Sequence, residues 1–316
     1  MTRSKRGHQA FTLIELLVVI SIIAILMALT TAGVMRVKVA AQRAKVSNEI
    51  GQLGSAISVF KRDRNVGYIP SRIVLRERMD YNLGNALEVE SHNYLKQVWS
   101  QLPVCTISGV SPFPAGQGIN WNGNVTAGGA PIIDNGAVTL EGDQCLVFFL
   151  GGIPQPQGGG VFGMGGFSKN PRDPSATPLL GASTFDFNSG RLKLNGNAAS
   201  AAGFPSYMDP FGAVPYVYFS GNGRKNGYNA ASGVNGDCAT VMAANGAATF
   251  APYFDTYQSA TQFSFYLATE YQIVCAGFDK TFGLGGVPAN WKGKVAGPDA
   301  DNVTNFHGGQ ISSLEN

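Results

Sequence analysis

The chain has 316 residues, 44% hydrophobic and only 14% charged, so it can bury a substantial core, either as one anchored domain with elaborations or as two domains. Its 41 glycines and abundant asparagine favour long turns and irregular segments over helical packing, a composition suited to an extracytoplasmic protein. The formal charge of +3 arises from 23 Lys and Arg, and removal of Arg3, Lys5 and Arg6 near the start leaves 20 bases against 20 acids, with no basic stripe for nucleic acid.

From Phe11 to Met35 the chain is apolar or uncharged except at Glu15. A helix of this length measures ~38 Å, enough to cross a hydrocarbon core of ~30 Å. A carboxylate inside such a span is expensive unless paired or neutralised, and so marks a functional position. Before the span lie three basic residues and no acid, which predicts a cytoplasmic N-terminus. A secretory signal peptide also opens on positive charge, and Thr30-Thr31-Ala32 is a tolerable cleavage site. Against that reading, the apolar run exceeds a signal core of ~7 to 15 residues and carries a charge. An unprocessed single-pass anchor is the other plain alternative.

The run Ala10-Phe11-Thr12-Leu13-Ile14-Glu15, between a basic leader and a long apolar segment, resembles the prepilin-type cleavage and methylation motif of type IV pilins and of the pseudopilins of type II secretion. The resemblance covers about the first 60 residues. It implies that prepilin peptidase cuts between Ala10 and Phe11, with Ala10 standing where Gly is usual, and that the new amine of Phe11 is methylated. Glu15, then the fifth residue, is implied to pair with the N-terminal ammonium of a neighbouring subunit. Gly7 is a poorer cleavage position, since it would shift Glu15 to the eighth place. The family further implies a single pass of the inner membrane, with a cytoplasmic N-terminus and a periplasmic C-terminal domain. From there the protein would be drawn into a homo-filament with an inner-membrane assembly platform.

Past the span, Arg36, Lys38, Arg43 and Lys45 mark a change of solvent, while Val46, Ile50, Leu53, Ile57 and Phe60 recur at helical spacing. The spacing predicts one helix from Phe11 to about Arg62, ~78 Å long, whose outer half packs on its own head. A second helix is predicted over Leu83 to Leu102, and Cys145 to Leu150 is a short buried element that periodicity leaves as helix or strand. Gly151 to Pro178 is rich in Gly and Pro and reads as a long surface excursion. Its Gly158, Gly160 and Gly163 spell G-x-G-x-x-G, but no strand precedes and no helix follows, so a nucleotide site is rejected. Asp209-Pro210-Phe211-Gly212 is a turn, and Pro215 to Phe219, Phe263 to Leu267 and Tyr271 to Ala276 are predicted strands. The expected fold class is α+β, with the long helix packed on an antiparallel β-sheet head that carries a large irregular insertion. The expected segments are a leader (1–10), a membrane and assembly helix (11–35), an amphipathic helix (36–62), the insertion (63–205) and a C-terminal β-sheet region (206–316).

Cys105, Cys145, Cys238 and Cys275 are too widely spaced for CxxC chemistry, and in an exported domain disulfides are the default, the pairing being open. Buried free thiols are the alternative. Near the C-terminus, Asp299 and Asp301 with Asn302 can converge oxygens on a hard cation such as calcium, with carbonyls from the Gly-rich stretch before them. This region is similar to the C-terminus of the major pseudopilin of type II secretion. Asp209, Pro210, Gly212, Pro215 and Tyr216 match its turn and strand, with Phe211 where Trp is usual, and Asp299-Ala300-Asp301 matches its calcium loop. The resemblance implies calcium ligands at Asp299 and Asp301, and Asp279 is a further candidate outside the match. A solvated loop capped by its own Asx side chains is the plain alternative.

No nucleophile motif accompanies the three histidines, and His92 reads as a helix residue before a catalytic base. The expectation is a non-enzymatic subunit of a type II secretion pseudopilus. A type IV pilus subunit for adhesion, motility or DNA uptake is the alternative within the family, and a membrane-tethered exported binding protein the alternative outside it.

Overall fold

The computed structural model describes residues 12–134, 136–157, 162–179, 181, 183–194, 199, 202–212, 214–229, 236–239, 241, 250–259, 262–286 and 297–307. Its elements are α1 (Leu13–Arg64), β1 (Ile73–Arg76), α2 (Ala86–Val98), β2 (Ala137–Leu140), α3 (Gly142–Gly151), β3 (Pro154–Pro156) and β4 (Phe162–Met164). There follow β5 (Leu192–Lys193), β6 (Ser206–Tyr207), β7 (Val217–Ser220), β8 (Phe254–Ser259), β9 (Gln262–Phe265), β10 (Tyr271–Cys275) and β11 (Val303–Thr304). Among the described residues, 3-10 turns lie at Ser189–Arg191 and Gly297–Asp301. The fold is mixed α+β, and its strands are antiparallel within small sheets: β11-β10-β7 in one, and the pairs β1-β2, β3-β4, β5-β6 and β8-β9. The chain divides into two compact units, 1–44 and 45–316.

In the second unit, Val46, Ile50, Leu53, Ile57 and Phe60 of α1 are all buried, as their spacing predicts. They meet α3, whose ten residues are all buried. Periodicity could not type that segment because every face of it is covered. The second helix is shorter than expected. Asn85 caps its start, its side chain accepting from the amides of Leu87 (3.0 Å) and Glu88 (3.3 Å), so Leu83 and Gly84 fall outside.

The three-stranded sheet separates two cores. Along β7, Tyr218 faces the α1 and α3 cluster, while Val217 and Phe219 face a second cluster built on Tyr253, Phe254, Phe265 and Phe282. Ile273 and Cys275 of β10 join the first, Val274 the second. This two-residue alternation with both faces covered explains why β7 reads as a continuous aromatic and β-branched run. The strand β8, which opens the hairpin covering the second face, was not among the predicted strands.

Glu49 enters the buried side of α1. Its Oε1 accepts from Arg191 Nη1 (2.6 Å) and the Tyr207 hydroxyl (3.0 Å), and its Oε2 from Arg191 Nη2 (2.8 Å) and the Tyr216 hydroxyl (2.5 Å). Burial alone would raise this carboxyl, but these donors and the guanidinium charge hold it below its ordinary value. Two other acids go the other way. Burial pushes Asp143, held by the Ser206 hydroxyl, up to about 7, and Glu77, held by backbone amides including that of Asp134, also to about 7.

The surface excursion expected over Gly151 to Pro178 is corrected by the structure. Ile153, Phe162 and Phe167 are buried, and β3 pairs with β4. Glycine here serves close packing instead of looseness: Gly152 (φ 89°) and Gly166 (φ 69°) form a bridge backbone to backbone, and Gly166 lies against Gly181. Gly163 falls in β4, while Gly158 and Gly160 lie outside the described residues.

The default of disulfides is corrected as well: Cys105, Cys145, Cys238 and Cys275 are four free, buried thiols. Three lie against backbone carbonyls, of Tyr81, Leu140 and Tyr218, and Cys275 against the Asp209 carboxylate (3.9 Å), so each packs as a small apolar residue in its own stretch of wall.

Two measurements check these readings on the full chain in detergent. Gly166→Ala should cost about 3 kcal/mol or more in urea titrations, because a Cβ would enter the Gly181 backbone at a positive φ, whereas Gly51→Ala, facing open space in a helix, should be neutral or stabilise by up to about 1 kcal/mol. Raised acids stabilise the fold below their unfolded pKa and lose that contribution as pH rises toward their folded value, and Glu49 does the reverse. Stability should therefore peak near pH ~4, and Asp143→Asn or Glu77→Gln should flatten the limb between about 4 and 7 by on the order of 2 kcal/mol each.

Candidate functional site

The first described turn of α1 is built around Thr12 and Glu15. Glu15 Oε2 accepts from the Thr12 amide (2.9 Å) and the Thr12 hydroxyl (2.8 Å), and the Glu15 amide donates back to Thr12 Oγ1 (3.3 Å). This reciprocal capping box fixes where the helix starts and folds the carboxylate back on that end. The ion pairs among the described residues do not include Glu15. Ala10 and Phe11, the expected cleavage and methylation residues, lie outside the described residues.

Leu13–Thr31 is one helix segment of 19 residues, long and apolar enough to cross a membrane, and none of it is buried. Its few hydroxyls turn inward on their own helix: Ser21 donates to Leu17 O (2.7 Å), Thr30 to Leu26 O (2.9 Å) and Thr31 to Met27 O (2.7 Å). The segment thus presents hydrocarbon all round with its polar groups satisfied internally, as a lipid or helix-packed environment requires. Glu15 is its one charge.

The expected ion loop comes together differently from a cation cage. Asp299 Oδ1 accepts from the Tyr253 hydroxyl (2.9 Å), Asn302 Nδ2 (3.0 Å) and the Gly283 amide (3.1 Å), and Oδ2 from the amides of Leu284 (2.8 Å) and Gly285 (3.0 Å). Asp301 Oδ2 accepts from the amides of Phe278 (2.6 Å) and Asp279 (3.0 Å), leaving its Oδ1 buried without a partner. Asp279 is exposed and closes an Asx turn onto Thr281 (2.9 Å). Burial pushes both Asp299 and Asp301 above the ordinary Asp range in spite of their donors. A calcium ion needs ~6 to 8 oxygens presenting lone pairs, and here N–H and O–H groups occupy that place on Asp299. These residues do not fit a calcium cage, and no cluster of three or more His, Cys, Asp or Glu exists among the described residues.

Sequence reasoning did not single out Glu49 as an anchor. The signal was present: it lies three residues after Val46 and four before Leu53, on the apolar face itself. Its partner Tyr216 stood out only within a predicted strand and its family likeness, not as a hydrogen-bond donor to α1. His92 is buried in α2 beside the Tyr81 ring, consistent with a helix residue of the core.

Residues 5–31 match the family model of the prokaryotic N-terminal methylation motif. No curated protein and no solved structure matches the chain. The motif and the apolar helix at 13–31 support a type IV pilin-like, membrane-anchored structural subunit, and the motif implies processing by prepilin peptidase and assembly with other pilin subunits.

The capping box predicts that Thr12→Val, which removes the hydroxyl from both the Glu15 carboxylate and the Glu15 amide and leaves only the residue-12 amide on the carboxylate, frays the first turn. In micelles, the amide of Glu15 should exchange roughly tenfold faster while those of Ile23 to Met27 are unchanged. Equal exchange in both proteins would remove the box from the account.

Proposed function

We propose that the chain is a structural subunit of a type II secretion pseudopilus, with a cytoplasmic N-terminus, a single inner-membrane pass and a periplasmic head from about residue 45. Prepilin peptidase cuts between Ala10 and Phe11, Phe11 is N-methylated, and the platform draws the helix from lipid into a filament. There the apolar helices of neighbouring copies replace lipid around one another, and Glu15 receives the ammonium of the next chain's Phe11. The observation that carries this reading is Glu15 as the one charge on an otherwise hydrocarbon helix, inside the motif match at residues 5–31, where a cut after Ala10 would make it the fifth residue. A carboxylate carried into lipid or between packed helices with only neutral donors among the described residues lacks a countercharge there, and a processed amine would supply one.

The preference for the secretion machinery over a pilus rests on the C-terminal likeness, where Tyr216 follows the Asp209 turn. Head-to-tail contacts that do not close give a filament in either case. No catalytic role belongs to this reading.

Mass spectrometry of the protein purified from its native membrane should give an N-methylphenylalanine terminus at Phe11, and Glu15→Val should leave the head folded but abolish filaments. An unprocessed terminus, or full assembly of Glu15→Val, would sink the subunit reading. Disrupting the gene should stop export of folded proteins and spare surface fibres. Loss of fibres with export intact would assign the chain to a type IV pilus instead.

A further inference from the structure

The loop over Gly277–Gly286 is held to the Gly297–Asp301 turn by two carboxylates and by the protein's own N–H groups. Three consecutive amides, Gly283, Leu284 and Gly285, converge on Asp299. Such a run of backbone N–H groups forms a concavity that stabilises an anion. Tyr253 and Asn302 complete the set, and both are fully buried, so the carboxylate is fixed from the core side as well.

We propose that this loop is closed by the Asp299 carboxylate itself and folds without a bound cation, the side chain doing the tying that a divalent ion would otherwise do. A carboxylate offers about four lone-pair sites, and five donors already reach Asp299. A cation could bind there only by expelling amides that have no other described acceptor. Gly283 shows how close the approach is: a Cβ at that position would strike the Asp299 carboxylate. Gly277, at φ 72°, lies against Asp301 in the same way.

The loop is also fastened independently of the acids. Phe282 is buried against Phe250, and the Gly286 amide donates to Ala251 O (3.2 Å). Closing the loop therefore completes the cluster under β8 and β9. Asp301 Oδ1 remains a single buried oxygen, far short of a coordination shell for calcium. The proposal stands apart from the filament reading, since it concerns only how the head closes.

The test is hydrogen exchange on the full chain in detergent, read at residues 283–285, in chelator and then with excess calcium. The expected result is slow exchange in chelator, unchanged by calcium. Asp299→Ala should speed exchange at these amides by at least roughly tenfold, and Asp279→Asn should leave it unaltered. Because the first comparison uses the unsubstituted chain, it decides the matter even if Asp299→Ala fails to fold. Fast exchange in chelator that becomes slow only with calcium would overturn the proposal, as would unchanged protection in a folded Asp299→Ala.

Discussion

Glu49 brings a negative charge into the face by which the second half of α1 packs, and the way it is satisfied organises the head around it. Each of its oxygens takes one arm of the Arg191 fork and one tyrosine hydroxyl. Arg191 has donors left over, and Nε and Nη2 bind Met208 O at 2.9 and 2.6 Å while the guanidinium lies 4.2 Å from the centre of the Tyr207 ring. Tyr207 in turn stacks on Tyr216. A lone buried carboxylate would be prohibitive, whereas a bidentate pair with further hydrogen bonds is tolerable and fixes geometry tightly. One residue of the helix thereby sets the positions of β5, β6 and the approach to β7. A purely apolar contact could slide along the helix by a turn.

The same economy recurs wherever regular structure is thin. Glu88 receives Arg76 at 2.8 Å and the Asn82 amide at 2.8 Å, and Asp237 receives Ser71 at 2.6 Å and Asn229 at 2.8 Å. Each acid collects donors from two places in the chain, 6 to 166 residues away, supplying hydrogen bonds that short strands do not provide. Glycine does the complementary steric work, since Gly152, Gly166 and Gly181 let three backbones touch. A chain with many glycines and few charges can therefore pack well, provided the few charges are placed where loops meet.

The parts of this architecture carried by periodicity were legible in the sequence. The apolar stripe from Val46 to Phe60 gave the buried face of α1, and the run Pro215 to Phe219 gave β7 within a residue or two, because a repeating pattern reports a repeating environment. Glu15 stood out because its surroundings are uniform. What stayed hidden depends on partners far along the chain. Spacing puts Glu49 on the apolar face, but nothing local names its partner Arg191, 142 residues away. Asp299 and Asp301 look alike whether they meet a cation or amides. Gly166 spells flexibility in one dimension and contact in three.

Asparagine and glutamine contribute in a way their abundance did not suggest. Asn305 accepts from Ile273 N (2.8 Å) and donates to Tyr271 O (3.1 Å), extending the short strand β11 with its side chain. Asn226 does likewise for Phe263 O and Phe265 N of β9, and Gln272 for both peptide groups of Tyr253. Each side-chain amide imitates a peptide unit and closes a ladder without adding a strand. Open ladders invite pairing with other chains, a hazard for any protein stored at high density. Sheet margins finished chemically in this way leave the head of a membrane-anchored, pilin-like subunit fewer open peptide groups for another strand to pair with.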